Sequence, residues 1–267
     1  MNVVAQKMLM ETYRAHAEQG LSAPDWKSCG FRCYSQHEED GYILYLFSLL
    51  GFTNRRVVEI CCGSGDESNT ANLILNHRCT GLLFEGDEAL AKHAEAFYKE
   101  NQDSKFWPPK IFNGWVTADN INFFIERAGF GGEIDLLSID IDGIDYWLWK
   151  AISVLSPRVV VTEINHLWGP EESVTVPYAD DFKAVFTQYG SDYAGASIAA
   201  FNKLAKTKGY RLVGANAFAT NVFFVRNDLA HPWLPEVAPK TLFWHPRAEF
   251  GRNVRFQGIK DKAWERV

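Results

Sequence analysis

The chain has 267 residues, 47% hydrophobic and 22% charged, an ordinary globular balance with material for one large core. A formal net charge of −6 excludes the basic field that a phosphate-backbone binder needs, so nucleic acid is not an expected partner. No apolar run approaches the ~20 residues that would cross a bilayer, and no membrane association is expected.

In chain order, the first segment spaces Val4, Met8, Leu9 and Tyr13 like one helix face interrupted by charge, unlike a signal peptide. Residues 1–54 are expected to form an N-terminal helical cap. Cys29, Cys33, Cys61, Cys62 and Cys79 are odd in number and form no C-x-x-C pair, which predicts a reduced, cytoplasmic chain. Cys29 and Cys33 lack the second half that a metal site would need. From Arg55 onward β-rich runs alternate with helical periods. Strands are predicted at 55–61, 80–86, 110–116, 133–140 and 158–164. Helices are predicted at 69–76, at 87–100 with Leu90, Ala94 and Phe97 on one face, through Ile121, Phe124, Ile125 and Ala128, and in a Trp-rich stretch from Asp145. Ser197 is suited to cap a helix carrying Ile198, Phe201, Leu204 and Ala205 that Gly209 stops. Two closely spaced strands, YRLVGA and TNVFFVR, read as antiparallel neighbours.

This alternation predicts an α/β class fold over 55–228: a Rossmann-like, doubly wound, mostly parallel seven-stranded sheet with an antiparallel terminal strand. Residues 229–267, with Pro232, Pro235, Pro239, Pro246, Trp233, Trp244 and Trp264, are expected to resist regular structure. They would wrap the core or a partner subunit, which leaves a homo-oligomer open. The cations there (Arg247, Arg252, Arg255, Lys260, Lys262 and Arg266) read as a solvated face.

Ligands on such sheets bind beyond the carboxyl ends of the strands, so the residues just after each strand matter most. The first strand runs into V-E-I-C-C-G-S-G-D, where Gly63 and Gly65 permit a tight turn and close backbone approach. The second ends F-E-G-D, which sets Glu85 beside that loop, where a carboxylate can accept both hydroxyls of a ribose. The loop lacks a full G-x-G-x-x-G. Glu59 would also repel a pyrophosphate while suiting the ammonium of a methionine moiety. An amino-acid-bearing nucleoside is therefore preferred to a dinucleotide.

With these motifs in place, the chain resembles the class I S-adenosylmethionine-dependent methyltransferases, and within them the FkbM-like group. The resemblance spans roughly Tyr34 to Val225 through S-Q-H-E-E-D-G-Y-I, V-E-I-C-C-G-S-G-D-E-S-N-T, G-L-L-F-E-G-D, N-G-W-V-T-A-D-N-I-N, D-L-L-S-I-D-I-D-G-I-D-Y-W, G-A-S-I…L-A-K-T-K-G-Y-R-L-V and N-V-F-F-V-R. It departs from the family at Cys61, where glycine is usual, and at His37. The resemblance implies S-adenosyl-L-methionine as cofactor and O-methylation of a small-molecule or sugar-like acceptor. It also implies that Glu85 holds the ribose, that Glu59, Gly63 and Gly65 line the methionine side, and that Trp115, Val116 and Thr117 border the adenine. Asn69 and Thr70 begin a helix whose amides would receive the cofactor carboxylate.

The fourth strand ends S-I-D-I-D-G and the fifth T-E-I-N-H. Asp140, Asp142, Glu163 and Asn165 are thereby expected to converge as oxygen ligands for Mg²⁺ or Ca²⁺, with Asp140 alternatively on the cofactor ammonium. A bound ion would lower the pKa of an acceptor hydroxyl. Besides Asp142, candidate proton acceptors are His166, with an ordinary pKa near 6.5, and His37. Gln36 and Asp40 would cover the cofactor, and Trp168, Tyr178 and Tyr193 would pack the acceptor. One rival reading is a metal-dependent glycosyltransferase using D-I-D to anchor a nucleotide-sugar. Others are a dehalogenase-type phosphatase, whose D-x-D-G should follow the first strand instead, and a non-catalytic cofactor-binding partner.

Overall fold

The computed structural model describes residues 2–267. In chain order its helices are α1 (Val3–Glu18), α2 (Glu39–Leu50), α3 (Ala71–His77), α4 (Glu88–Glu100), α5 (Ile121–Arg127), α6 (Asp145–Ala151), α7 (Ile198–Thr207) and α8 (Pro246–Asn253). Its strands are β1 (Arg56–Ile60), β2 (Thr80–Glu85), β3 (Lys110–Asn113), β4 (Gly132–Ile139), β5 (Leu155–Glu163), β6 (Val174–Thr175), β7 (Val185–Thr187), β8 (Gly190–Tyr193), β9 (Tyr210–Ala215), β10 (Asn221–Arg226) and β11 (Glu265–Arg266).

Seven strands form one sheet in the order β3-β2-β1-β4-β5-β10-β9. β1 to β5 are mutually parallel, and β10 runs antiparallel to both β5 and β9. The antiparallel strand is therefore last of these seven in sequence but sits one place in from the sheet edge. Alternation along each strand supplies two cores. Val58, Phe84, Leu137 and Val160 pack with Ile121, Ile125, Leu148, Trp149 and Phe201 of α5 to α7 on one face. Val57, Leu83, Leu136 and Val161 pack with Leu44, Phe47, Leu73, Ala94 and Tyr98 of α2 to α4 on the other. Strands buried on both faces read as continuous apolar runs, which is why the sheet is legible from sequence.

Three local expectations are corrected. On α4 the buried face is Ala91, Ala94 and Tyr98, and Leu90 is 42% exposed. The face is rotated by one residue because Gly65 approaches the helix so closely that a Cβ there would lie 3.1 Å from both Ala94 and Tyr98. On α1, Val4 and Met8 are exposed while Gln6 and Met10 are buried. Gln6 exchanges amide hydrogen bonds with Asn72 at 3.0 Å and meets His77 Nε2 at 2.7 Å, a polar contact to α3 that no apolar periodicity reveals. The last segment is not irregular throughout, since it holds α8 and pairs β11 with β6.

Candidate functional site

Registers bring the relevant strand ends level. Ile60 pairs with both Phe84 and Ile139, so the loop after β1 emerges between Glu85 and Asp140. Cys61, Gly63 and Gly65 all take positive φ, at 68°, 56° and 81°. Cys61 thus adopts the left-handed conformation that glycine would, at a cost of about 1–2 kcal/mol for an L-residue. Nothing lies within 4 Å of a Cβ built on Gly63, so its turn is open.

Glu85 is buried and ties both neighbouring loops together. Its Oε2 accepts from Gly63 N at 2.8 Å and its Oε1 from Asp87 N at 2.9 Å. The Cys61 thiol also donates to Oε2 at 3.6 Å, a weak contact that a stronger hydroxyl donor can displace. Beside it lies a mainly apolar pocket of about 180 Å³ whose walls include Cys61, Phe84, Trp115, Val116, Ile141 and Phe182. Trp115 is steered there by Gly86, where a Cβ would stand 3.0 Å from the indole, and by a 2.5 Å hydrogen bond from its Nε1 to Asp180 O. Thr117 is not part of this pocket. Its carbonyl accepts from Asn120 N and Ile121 N at the start of α5.

Glu59 behaves differently from expectation. Its buried carboxylate accepts from Ser68 Oγ (2.5 Å), Asn69 N (2.8 Å), Thr70 N (3.1 Å) and Thr70 Oγ1 (2.5 Å). Three of these bonds fall on Oε2 and one on Oε1, and they engage the Asn69 and Thr70 amides expected to meet a cofactor carboxylate. Asn69 Nδ2 instead donates to Ser138 Oγ at 3.1 Å. The cluster fixes the glycine loop against β4 from beneath. The S-x-T spacing after the glycines is the sequence signal that was missed.

A second cavity, of about 340 Å³, opens beyond β4 and β5, and Asp140, Asp142 and Glu163 line it. Strand-like alternation holds past the end of β4: Asp140 and Asp142 reach this cavity while Ile141 lines the apolar pocket. One ligand oxygen from each of Asp140, Asp142 and Glu163 lies within 4.8 Å of the others. Burial raises Asp140 well above the usual carboxylate range, and Asp145 and Asp142 push it further. Burial, Asp140, Asp142 and Asp145 do the same to Glu163. Asp145, fully buried, caps the turn through Ile141 N (2.8 Å) and Gly143 N (3.0 Å), and burial still raises it to about 6. The turn itself carries Asp142 at φ 49°, a strained position for a residue other than glycine.

Asn165 lines the same cavity with its side chain already engaged. Its Nδ2 donates to Asp192 O and Ala194 O, both at 2.9 Å, and its Oδ1 accepts from Leu167 N at 3.2 Å, so its side chain ties two loops together. His166 lines the cavity but is buried. Burial, then Arg255 and Arg247, lower its pKa to about 4, well under the ordinary value expected of a general base. His37 also lines the cavity, with its ring against Phe218. Gln36 does too, whereas Asp40 is turned to the chain, accepting from the amides of Cys33, Tyr34 and Ser35.

Trp168 packs on Phe256 and Trp264, Tyr178 on Trp147, and Tyr193 on Trp264, and none of the three lines the cavity. The aromatic wall comes instead from Phe186 and Tyr189 of the β7–β8 hairpin. Arg247 and Arg255 also line it, although their segment was expected to be a solvated face.

No family model and no curated protein matches this chain. Solved structures do. The magnesium protoporphyrin IX methyltransferase of Synechocystis PCC 6803 with bound SAM is 11% identical, with a TM-score of 0.45 over 85% of this chain and 98% of that one. The N-terminal domain of EvdMO1 with SAH bound is 12% identical, with a TM-score of 0.45 over 81% and 95%. The glycopeptide N-methyltransferase MtfA complexed with SAH is 11% identical, with a TM-score of 0.45 over 74% and 94%.

Proposed function

We propose that this chain is an S-adenosylmethionine-dependent methyltransferase acting on a hydroxyl of a small-molecule or sugar-like acceptor, and that a divalent cation assists it. The observation that carries the reading is the pair of cavities sharing one wall. Ile141 faces an apolar pocket suited to a purine, and Asp140 and Asp142 on either side of it face an acidic cavity suited to a hydroxyl. Glu85 stands at the ribose position between the glycine loop and that pocket. Glu59, Asn69 and Thr70 serve the cofactor by holding that loop.

S-adenosylmethionine supplies an electrophilic methyl group on a sulfonium. Glu85 orients the sugar, Trp115 and Val116 exclude water from the base, and the acidic trio receives the acceptor hydroxyl. Asp140, Asp142 and Glu163 are the residues that would hold Mg²⁺ or Ca²⁺; three carboxylates this close are an oxygen donor set suited to a hard cation. Such an ion would lower the pKa of the bound hydroxyl. Without it, the raised proton affinity of Asp140 and Glu163 keeps a proton shared between those two carboxylates. His166, held neutral by burial, serves as a wall residue rather than the principal base.

The glycosyltransferase alternative explains the acidic trio but gives no role to Glu85 or to the apolar pocket. The test is methyl transfer from isotopically labelled S-adenosylmethionine to a panel of polyols and glycosides, read by mass spectrometry. Labelled ether products that disappear in Asp142→Ala support the reading. Transfer unaffected by that substitution removes the acidic cavity from the reaction.

A further inference from the structure

The acidic cavity is not acidic all round. Arg247 and Arg255 line it together with Asp140, Asp142 and Glu163. The two arginines differ in their partners. Arg255 Nε donates to buried Asp192 at 2.9 Å and its Nη2 makes a second, shorter contact to the same oxygen, so its charge is already balanced. Arg247 forms no ion pair with any carboxylate among the described residues, although three carboxylates line the same cavity. Its guanidinium lies over the Phe218 ring, 4.7 Å from the centroid, and His37 and His245 meet that ring edgewise at 4.9 and 4.8 Å. Its backbone is fixed at the start of α8, where His245 Nδ1 accepts from Arg247 N at 3.1 Å.

We infer that Arg247 is an anion-recognition point, so the acceptor carries a carboxylate or phosphate group in addition to the hydroxyl that is methylated. This rests on the methyltransferase reading and names the chemical class of its acceptor. The physical reason is charge balance. A half-buried guanidinium without a counter-ion is costly, and burial together with Arg255 already lowers its proton affinity. An anionic group would supply the missing partner, while the acidic trio would repel that group. The acceptor would then enter in one orientation, anion on Arg247 and hydroxyl beside Asp140 and Asp142. Planar, fork-shaped Arg suits both carboxylate and phosphate oxygens.

Calorimetric titration of glucose, glucuronate and glucose 6-phosphate into the protein, with and without S-adenosylhomocysteine, tests this. At least one anion should bind about tenfold tighter than glucose, as a charge-assisted contact would give. Arg247→Met should erase that preference and Arg247→Lys restore part of it. A larger gain for glucose 6-phosphate assigns phosphate, and a larger gain for glucuronate assigns carboxylate. Anions that bind no tighter than glucose, or equally well to Arg247→Met, overturn the inference. Failure of S-adenosylhomocysteine itself to bind would instead overturn the methyltransferase reading, and the charge comparison without it still judges the anion site.

Discussion

Replacing Glu59 separates two roles that one carboxylate at this place can have. If it holds the loop, its four bonds to Ser68, Asn69 and Thr70 are structural, and the cofactor should feel its loss only weakly. In Glu59→Gln, Oε1 still accepts from Asn69 N. The new amide nitrogen can donate to the Ser68 and Thr70 hydroxyls, which rotate to accept. Only Thr70 N is left facing a donor. One buried amide without a partner costs about 1–3 kcal/mol, and a chain of this size loses about 2–4 °C per kcal/mol. A fall in Tm of about 2–12 °C is therefore expected, with S-adenosylhomocysteine affinity kept within about threefold, since no contact to the ligand is removed. Glu59→Ala strands both amides and should cost about 2–6 kcal/mol by the same reasoning. Differential scanning calorimetry gives the stability change and isothermal titration the affinity. A Glu59→Gln protein with unchanged Tm but affinity reduced more than about thirtyfold would refute the reasoning and return Glu59 to the ammonium.

Other outcomes follow from the same geometry. Glu85→Ala should abolish detectable S-adenosylhomocysteine binding by calorimetry while leaving the fold intact by circular dichroism, because the proposed ribose contact and the anchor of Gly63 go together. Asp145, raised to about 6 in the fold from 3.8, binds more protons folded than unfolded between those values. The stability it contributes is present below about pH 4 and lost as pH rises through 6, and the raised Asp140 and Glu163 act with the same sign. Thermal melts should accordingly show that Glu163→Gln or added Mg²⁺ raises Tm at pH 8, and a Tm that neither change moves would contradict the coupling. Cys61→Gly should keep cofactor affinity and leave Tm equal or slightly higher, since relief of a left-handed Cys offsets the chain entropy of glycine. Gly65→Ala should cost about 1–3 kcal/mol in denaturant melts, because its Cβ would press on Ala94 and Tyr98 at a strained φ.

What the sequence made legible divides along physical lines. β1, β2, β4, β5, β9 and β10 are short, largely buried apolar runs, and their succession with α3 to α7 along the chain is read from alternation. The convergence of Asp140, Asp142 and Glu163 was equally readable, because strand ends in such sheets lie side by side. The reverse wall was not. Phe186, Tyr189, Arg247 and Arg255 reach the cavity from a hairpin and from a segment far along the chain, with no local pattern to place them. The lowered pKa of His166 had the same origin, since α8 covers it so closely that a Cβ on Gly251 would lie 2.9 Å from its Nε2. The loop-holding bonds of Glu59 were hidden for a subtler reason: a carboxylate that satisfies loop amides and one that meets an ammonium look alike until the hydroxyls of Ser68 and Thr70 are seen around it.

In the proposed pose an adenosyl sulfonium compound lies across the glycine loop with its ribose on Glu85. Isothermal titration of the intact protein with S-adenosylhomocysteine, and separately with a uridine diphosphate sugar plus Mn²⁺, tests it most directly. Saturable one-to-one binding of S-adenosylhomocysteine that Glu85→Ala removes is expected, with no heat from the nucleotide-sugar. Binding of the nucleotide-sugar alone, dependent on Asp140 and Asp142, would contradict it.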